Sequence, residues 1–179
     1  MNLAFQTTCA RLFFAVLFRL ISVFVTEPVA FGDSLVAPSK GRYLDPKSVS
    51  DFSLSERLDL RARHQSLINF LERGQDVVMP SGSASSKLLG EITAATGREV
   101  GLIRVDGKRI LRMGSVDGID MSDASRVISH THPSGDLRFS GVLGGVDGDI
   151  PMFRLYQPRQ LSSGLIAPDG TFTRLSIPR

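Results

Sequence analysis

Cysteine is almost missing from this chain: the one thiol, Cys9, lies far upstream of every other residue with a chemical signature. That excludes an internal disulfide, and it leaves neither a Cys-x-x-Cys zinc ribbon nor a cysteine nucleophile for the remainder. Histidine is scarce as well, with only His64, His130 and His132 in 179 residues. Clustered basic charge is lacking: the net charge is +3 and the pI near 9.4, yet the arginines are scattered. Without a Lys/Arg block or an interleaved aromatic stripe, no nucleic-acid partner is expected, and the basicity reads as solubilising. No internal repeat or low-complexity tract occurs. A hydrophobic content of 42% suffices for one core.

A membrane-spanning run is also lacking. The longest apolar stretch, Leu12 to Val25, covers 14 residues and contains Arg19. A bilayer needs roughly 20, and a charge in mid-run costs on the order of 2.5 to 3.5 kcal/mol, so no stable membrane anchor is expected. Arg11 ahead of the run and Ala30-Phe31-Gly32 after it have the order of a secretory signal. Arg19 argues instead for an amphipathic leader or for a start placed too far upstream, so export stays open.

Against these absences stands His130-Thr131-His132-Pro133. Val127-Ile128-Ser129 leads into it as a β-branched run, and Pro133, unable to donate to a ladder, ends the strand. Side chains at i and i+2 of a strand share a face, so the two imidazoles point together while Thr131 points away. Such a pair is half a metal site, and taken alone it is equally a polar strand surface.

The surroundings of the pair resemble the JAB/MPN metallopeptidase family, often called JAMM. Its pattern is an upstream Glu, then His-Ser/Thr-His-Pro, then a Ser followed three residues later by an Asp. Glu99 opens the strand-like Glu99 to Val105, the central block matches at 130–133, and Ser140 lies eight residues beyond His132. The predicted elements give an α/β (α+β) fold, a mixed β-sheet with flanking helices behind a flexible N-terminal leader, and the resemblance implies the layering of cytidine deaminases. It implies a zinc-dependent peptidase or isopeptidase: His130, His132 and an aspartate as metal ligands, Glu99 as general base, Ser140 as oxyanion stabiliser, and a peptide or protein as substrate. The stretch from Arg126 to Thr173 looks more like the branch carried by bacterial polymorphic toxins, which implies an immunity or carrier protein as a further partner.

One position departs from the pattern. Three residues after Ser140 stands Leu143, which cannot ligate a metal. Treating Leu143 to Val146 as an inserted loop, or moving the serine position to Gly144, both make Asp147 the third ligand, with Asp149 as the fallback. The first repair needs an irregular backbone, since a straight helix would separate Ser140 and Asp147 by roughly 10 Å.

Each candidate also has a plainer use. Glu99 suits an exposed strand start, Ser140 a helix N-cap, and Asp136, Asp147 and Asp149 turns; the last two lack the spacing and closing Glu of an EF-hand. His64, between Arg63 and Gln65, reads as solvated.

The remaining pattern divides the chain into a leader over 1–32, a linker with an amphipathic helix over 33–83, and the metallopeptidase-like domain over 84–179. Ser53-Leu54-Ser55-Glu56 has capping-box spacing and opens a helix predicted to run through Arg73 to a stop at Gly74. A second helix is predicted from Ser86 to Thr96, closed by Gly97. Asp106-Gly107 and Pro168-Asp169-Gly170 predict two hairpins. Three function classes stay open: the zinc peptidase, a noncatalytic binding module on the same scaffold, and a toxin-type metal-dependent hydrolase of another bond.

Overall fold

Ser53 starts the first helix as its spacing requires. Its hydroxyl accepts from the Glu56 N–H at 3.2 Å, and its own N–H donates to the Glu56 carboxylate at 2.7 Å. The computed structural model describes residues 45–179; the expected leader, Cys9 and the start of the expected linker lie outside the described residues. Helix α1 (Leu54–Arg63) does not continue to Arg73. His64 leaves helical geometry at φ −110° and ψ 19°, and α2 (Gln65–Glu72) resumes beyond it. The ring of His64 is half-buried rather than solvated, with Nε2 2.7 Å from a Glu91 carboxylate oxygen. The break turns Ile68 and Leu71 of α2 inward, where both are buried.

Helix α3 (Ser86–Thr96) has the predicted bounds. Ser85 caps it by accepting from the Leu88 N–H at 3.1 Å, and Gly97 closes it at φ 71°, a left-handed conformation that glycine adopts without steric cost. Next come strands β2 (Val100–Val105) and β3 (Lys108–Met113), joined at Asp106 and Gly107, whose φ values of 47° and 76° are those of a two-residue hairpin turn. Strand β1 (Val77–Val78) pairs with β3 on the outer side. Then β4 (Arg126–Thr131), helix α4 (Asp149–Tyr156), β5 (Ser162–Ile166) and β6 (Phe172–Ser176) complete the order.

The six strands form one sheet in the order β1-β3-β2-β4-β5-β6. Only the β4–β5 pairing is parallel, which makes the sheet mixed, as expected of the α/β class. Alternation along the strands feeds two apolar clusters. Val100, Leu102 and Leu111 pack with Ile68, Leu71, Leu89 and Ile92 from α2 and α3. Ile103, Ile110 and Val127 pack with Phe153 of α4. Burying each such side chain stabilises the fold by about 1.5 to 3 kcal/mol. Among the described residues, no helix is long and apolar enough to cross a membrane.

A bulge in β4 decides which layer the histidines face. Leu102 pairs with Ser129 but Ile103 pairs with Val127, so Ile128 is an extra residue on β4. Val127 packs in the cluster with Phe153, and strict alternation from it would turn position 130 to the opposite face. The extra residue reverses that parity and re-aims His130 and His132 toward α4. Thr131 correspondingly faces α3, where its Oγ1 accepts from the Val100 N–H at 2.8 Å and lies 2.6 Å from Thr93 Oγ1.

Candidate metal centre

Three side chains converge where β4 ends against the start of α4. Nε2 of His130 lies 2.8 Å from Asp149 Oδ1, Nε2 of His132 lies 3.2 Å from Asp149 Oδ2, and the two Nε2 atoms are 3.1 Å apart. All three residues are buried, and one ligand atom of each lies within 4.8 Å of the others. His130 is fully enclosed by Phe139, stacked at 6.5 Å between centroids, and by Phe153, tilted at the same distance.

Asp149, rather than Asp147, is the carboxylate that meets the imidazoles. The reason is the path of the chain after Ser140. Residues 141–148 form an irregular loop, and only at Asp149 does α4 begin. The neck of this loop is closed by direct backbone approach: a Cβ on Gly148 would come within 2.7 Å of the Gly141 nitrogen, and both glycines have positive φ. Ser140 then binds the far end of its own loop. Its N–H and hydroxyl donate to Asp149 Oδ2 at 2.8 and 2.9 Å, and its Oγ accepts from the Asp149 N–H at 3.0 Å. The loop carries Leu143 out to solvent, 55% exposed, so this residue has no part in the site. Asp147 is exposed and lines the adjoining cavity. The serine hydroxyl, expected at an oxyanion, is here directed at the aspartate.

The tautomer of His132 follows from its neighbour. Nδ1 lies 2.7 Å from the Asp136 carbonyl oxygen, which can only accept, so Nδ1 carries the hydrogen. Neutral His132 therefore turns an Nε2 lone pair toward a carboxylate oxygen and toward a second imidazole nitrogen. Two acceptors at that separation repel unless a proton or a cation stands between them. Asp136, read from sequence as a turn former, thus orients a candidate ligand through its backbone, the common outer support of metal-binding histidines.

The same geometry shifts the titrations. Burial alone would lower the His132 pKa, but the Asp149 and Glu99 carboxylates and the Asp136 carbonyl outweigh it, and the net shift is upward. Burial would raise Asp149; hydrogen bonds from His130, from His132 once its Nε2 is protonated, and from Ser140 overcome it and hold the carboxyl well below its usual range.

Two imidazole nitrogens and a carboxylate, one ligand atom of each within 4.8 Å of the others, are a donor set that suits a small divalent ion. A tetrahedron with bonds of about 2.0 to 2.1 Å has edges near 3.3 Å, close to the 3.1 Å between the two imidazole nitrogens, and each nitrogen meets its own Asp149 oxygen. One inner support is lacking among the described residues: the buried Nδ1 of His130 has no protein partner.

Glu99 reaches the same face. It immediately precedes β2, anchored by its N–H to the Ser115 carbonyl at 2.8 Å. Gly101 pairs with His130, and extending that register sets Glu99 across from His132. Only 9% of its surface is exposed, and no hydrogen bond reaches its carboxylate among the described residues. Burial pushes its pKa up to about 7; His132 opposes this, while Asp149 and Asp117 add to it. Glu99, Ser140, Asp147 and Asp149 all line one cavity of about 670 Å³.

Comparison of the chain with protein-family models, with curated proteins and with solved structures gives no match in any of the three.

Proposed function

We propose that His130, His132 and Asp149 hold one divalent metal ion, zinc by preference, and that the domain is a metal-dependent hydrolase of amide bonds resembling the JAB/MPN metallopeptidases. The observation that carries this reading is the convergence of an oriented His132 lone pair, the His130 imidazole and the Asp149 carboxylate on one buried point. Imidazole and carboxylate together favour zinc among the common ions. When bound, the ion supplies a Lewis acid that lowers the pKa of water from about 15.7 toward 7 and polarises a carbonyl oxygen.

The remaining chemistry belongs to the chain. Glu99, with a pKa pushed up to about 7, takes a proton from a water in the cavity and returns it to the leaving nitrogen. Ser140 fixes the Asp149 carboxylate through its N–H and hydroxyl. For the hydroxyl to serve an oxyanion as well, it would have to turn from Asp149 during the reaction, leaving the N–H in place. Phe139 and Phe153 exclude water behind His130.

The noncatalytic alternative drew its support from Leu143, and that support goes once Asp149 completes the donor set. The test is hydrolysis of a fluorogenic peptide library by the full chain loaded with zinc. Turnover lost on chelation, restored by zinc and lost in Glu99→Gln is expected. Zinc binding without turnover on any peptide would return the binding module to first place.

A further inference from the structure

The cavity beside the triad is lined by two kinds of group that no role above uses. One is charge. Of its four carboxylates, Asp149 is engaged by the imidazoles and Glu99 is buried, but Asp117 and Asp147 are exposed and neither carboxylate has a hydrogen bond or ion pair among the described residues. Arg154 is the one basic side chain lining the cavity. The cavity is thus acidic in a chain of net charge +3.

The other is apolar surface left in water. Val146, Leu155 and Tyr156 line the same cavity and are 90%, 70% and 47% exposed. Much of this apolar surface stays in water, and an apolar rim around a cleft with polar groups at its floor is the usual form of a ligand site. Glu99 is the independent pointer to an occupant. The residue is nine-tenths buried, its carboxylate has no hydrogen-bond partner among the described residues, and it lines this same space.

We infer that the cavity receives an extended peptide that sets a lysine or arginine side chain against Asp117 and Asp147 and a neighbouring large apolar side chain against Leu155 and Tyr156. The inference rests on the amide-hydrolase reading for its choice of a peptide, and it makes Asp117 and Asp147 specificity-determining residues rather than metal ligands. Acidic peptides and polyanions are disfavoured by the same carboxylates.

Binding rather than turnover is the suitable readout, because it separates this inference from the hydrolase reading. Full-chain protein carrying Glu99→Gln is titrated by fluorescence anisotropy with three labelled heptapeptides alike except for a central Lys, Gln or Glu between leucines. The expected order of affinity is Lys, then Gln, then Glu, with about three- to tenfold between first and last, the span that one or two exposed charge pairs support. Adding Asp117→Asn and Asp147→Asn should level the three; neither side chain holds a bond among the described residues, so the fold should survive, as a thermal melt verifies. Equal affinities, a reversed order, a spread unchanged by the two substitutions, or no binding of any peptide would each overturn the inference. The predicted binding order together with an absence of hydrolysis by the zinc-loaded wild-type chain would overturn the hydrolase and leave the docking surface standing.

Discussion

Ser140 and Asp149, nine residues apart in sequence, are locked to one another by three reciprocal hydrogen bonds: the serine N–H and hydroxyl donate to the aspartate carboxylate, and the aspartate N–H donates to the serine oxygen. This lock holds the carboxylate against the two imidazoles across a loop that would otherwise leave it free. Ser140→Ala removes the hydroxyl and strands the Asp149 N–H. Hydrogen bonds to charged groups contribute about 1.5 to 3 kcal/mol, and outer supports of metal ligands are worth about 10- to 100-fold in affinity. Zinc affinity, measured by competition with a chromophoric chelator, should fall by that factor. Unchanged affinity would mean that α4 and the backbone N–H of residue 140 position the carboxylate without the hydroxyl.

The Glu99 carboxyl makes the metal-free protein lose stability as pH rises. Its folded pKa of about 7 stands above the ordinary carboxylate value of 4.5, so the folded state binds the proton more tightly than the unfolded chain. Stability is fully present below about pH 4.5 and declines as pH rises through 7, by at most about 3 kcal/mol for a shift of this size. Glu99→Gln should abolish this decline. Urea denaturation of both proteins at pH 5 and pH 8, with metal removed, checks it: the variant should gain on the wild type at pH 8 only.

His132 gives the opposite linkage to metal. Its raised pKa means that near neutral pH the metal-free ring retains part of its proton, which must leave before Nε2 can ligate. Zinc uptake at pH 7 should therefore release protons, and affinity should fall as the pH drops. Titration calorimetry in two buffers of different ionisation enthalpy measures the release. A buffer-independent enthalpy would show that no proton is displaced.

Thr131 should matter to stability without touching the metal. Its Oγ1 accepts from the Val100 N–H and contacts Thr93 in a buried position. Thr131→Val leaves that N–H unpaired at a cost of about 1 to 3 kcal/mol, readable as a lowered denaturation midpoint with unchanged zinc stoichiometry.

The parts of the fold legible in sequence were those encoded by short-range rules. Ser53 and Glu56, Gly97, and Asp106-Gly107 each fix a local backbone conformation, and the structure has these features where the residues predict them. The histidine pair was legible because β-strand alternation and Pro133 are also local. What escaped depends on contacts distant in sequence. The helix break at His64 follows from Glu91 and from the core's demand for Ile68 and Leu71, neither visible from the helix alone. The bulge at Ile128 is a property of pairing with β2. The choice of Asp149 over Asp147 was open because spacing cannot tell how much of a Gly-rich segment is loop; the Gly141–Gly148 closure and the capture by Ser140 decide it. The onset of the apolar run Ile150 to Phe153 directly after Asp149 was the available signal that the carboxylate opens a helix.

The central claim is that a metal ion is held by His130, His132 and Asp149. The most direct measurement is the zinc content of the purified full chain by atomic emission, beside Asp149→Ala and Asp147→Ala. One zinc per chain is expected in the wild type and in Asp147→Ala, and little or none in Asp149→Ala, because only the Asp149 carboxylate meets both imidazoles. Zinc retained in Asp149→Ala, or lost in Asp147→Ala alone, would contradict the account.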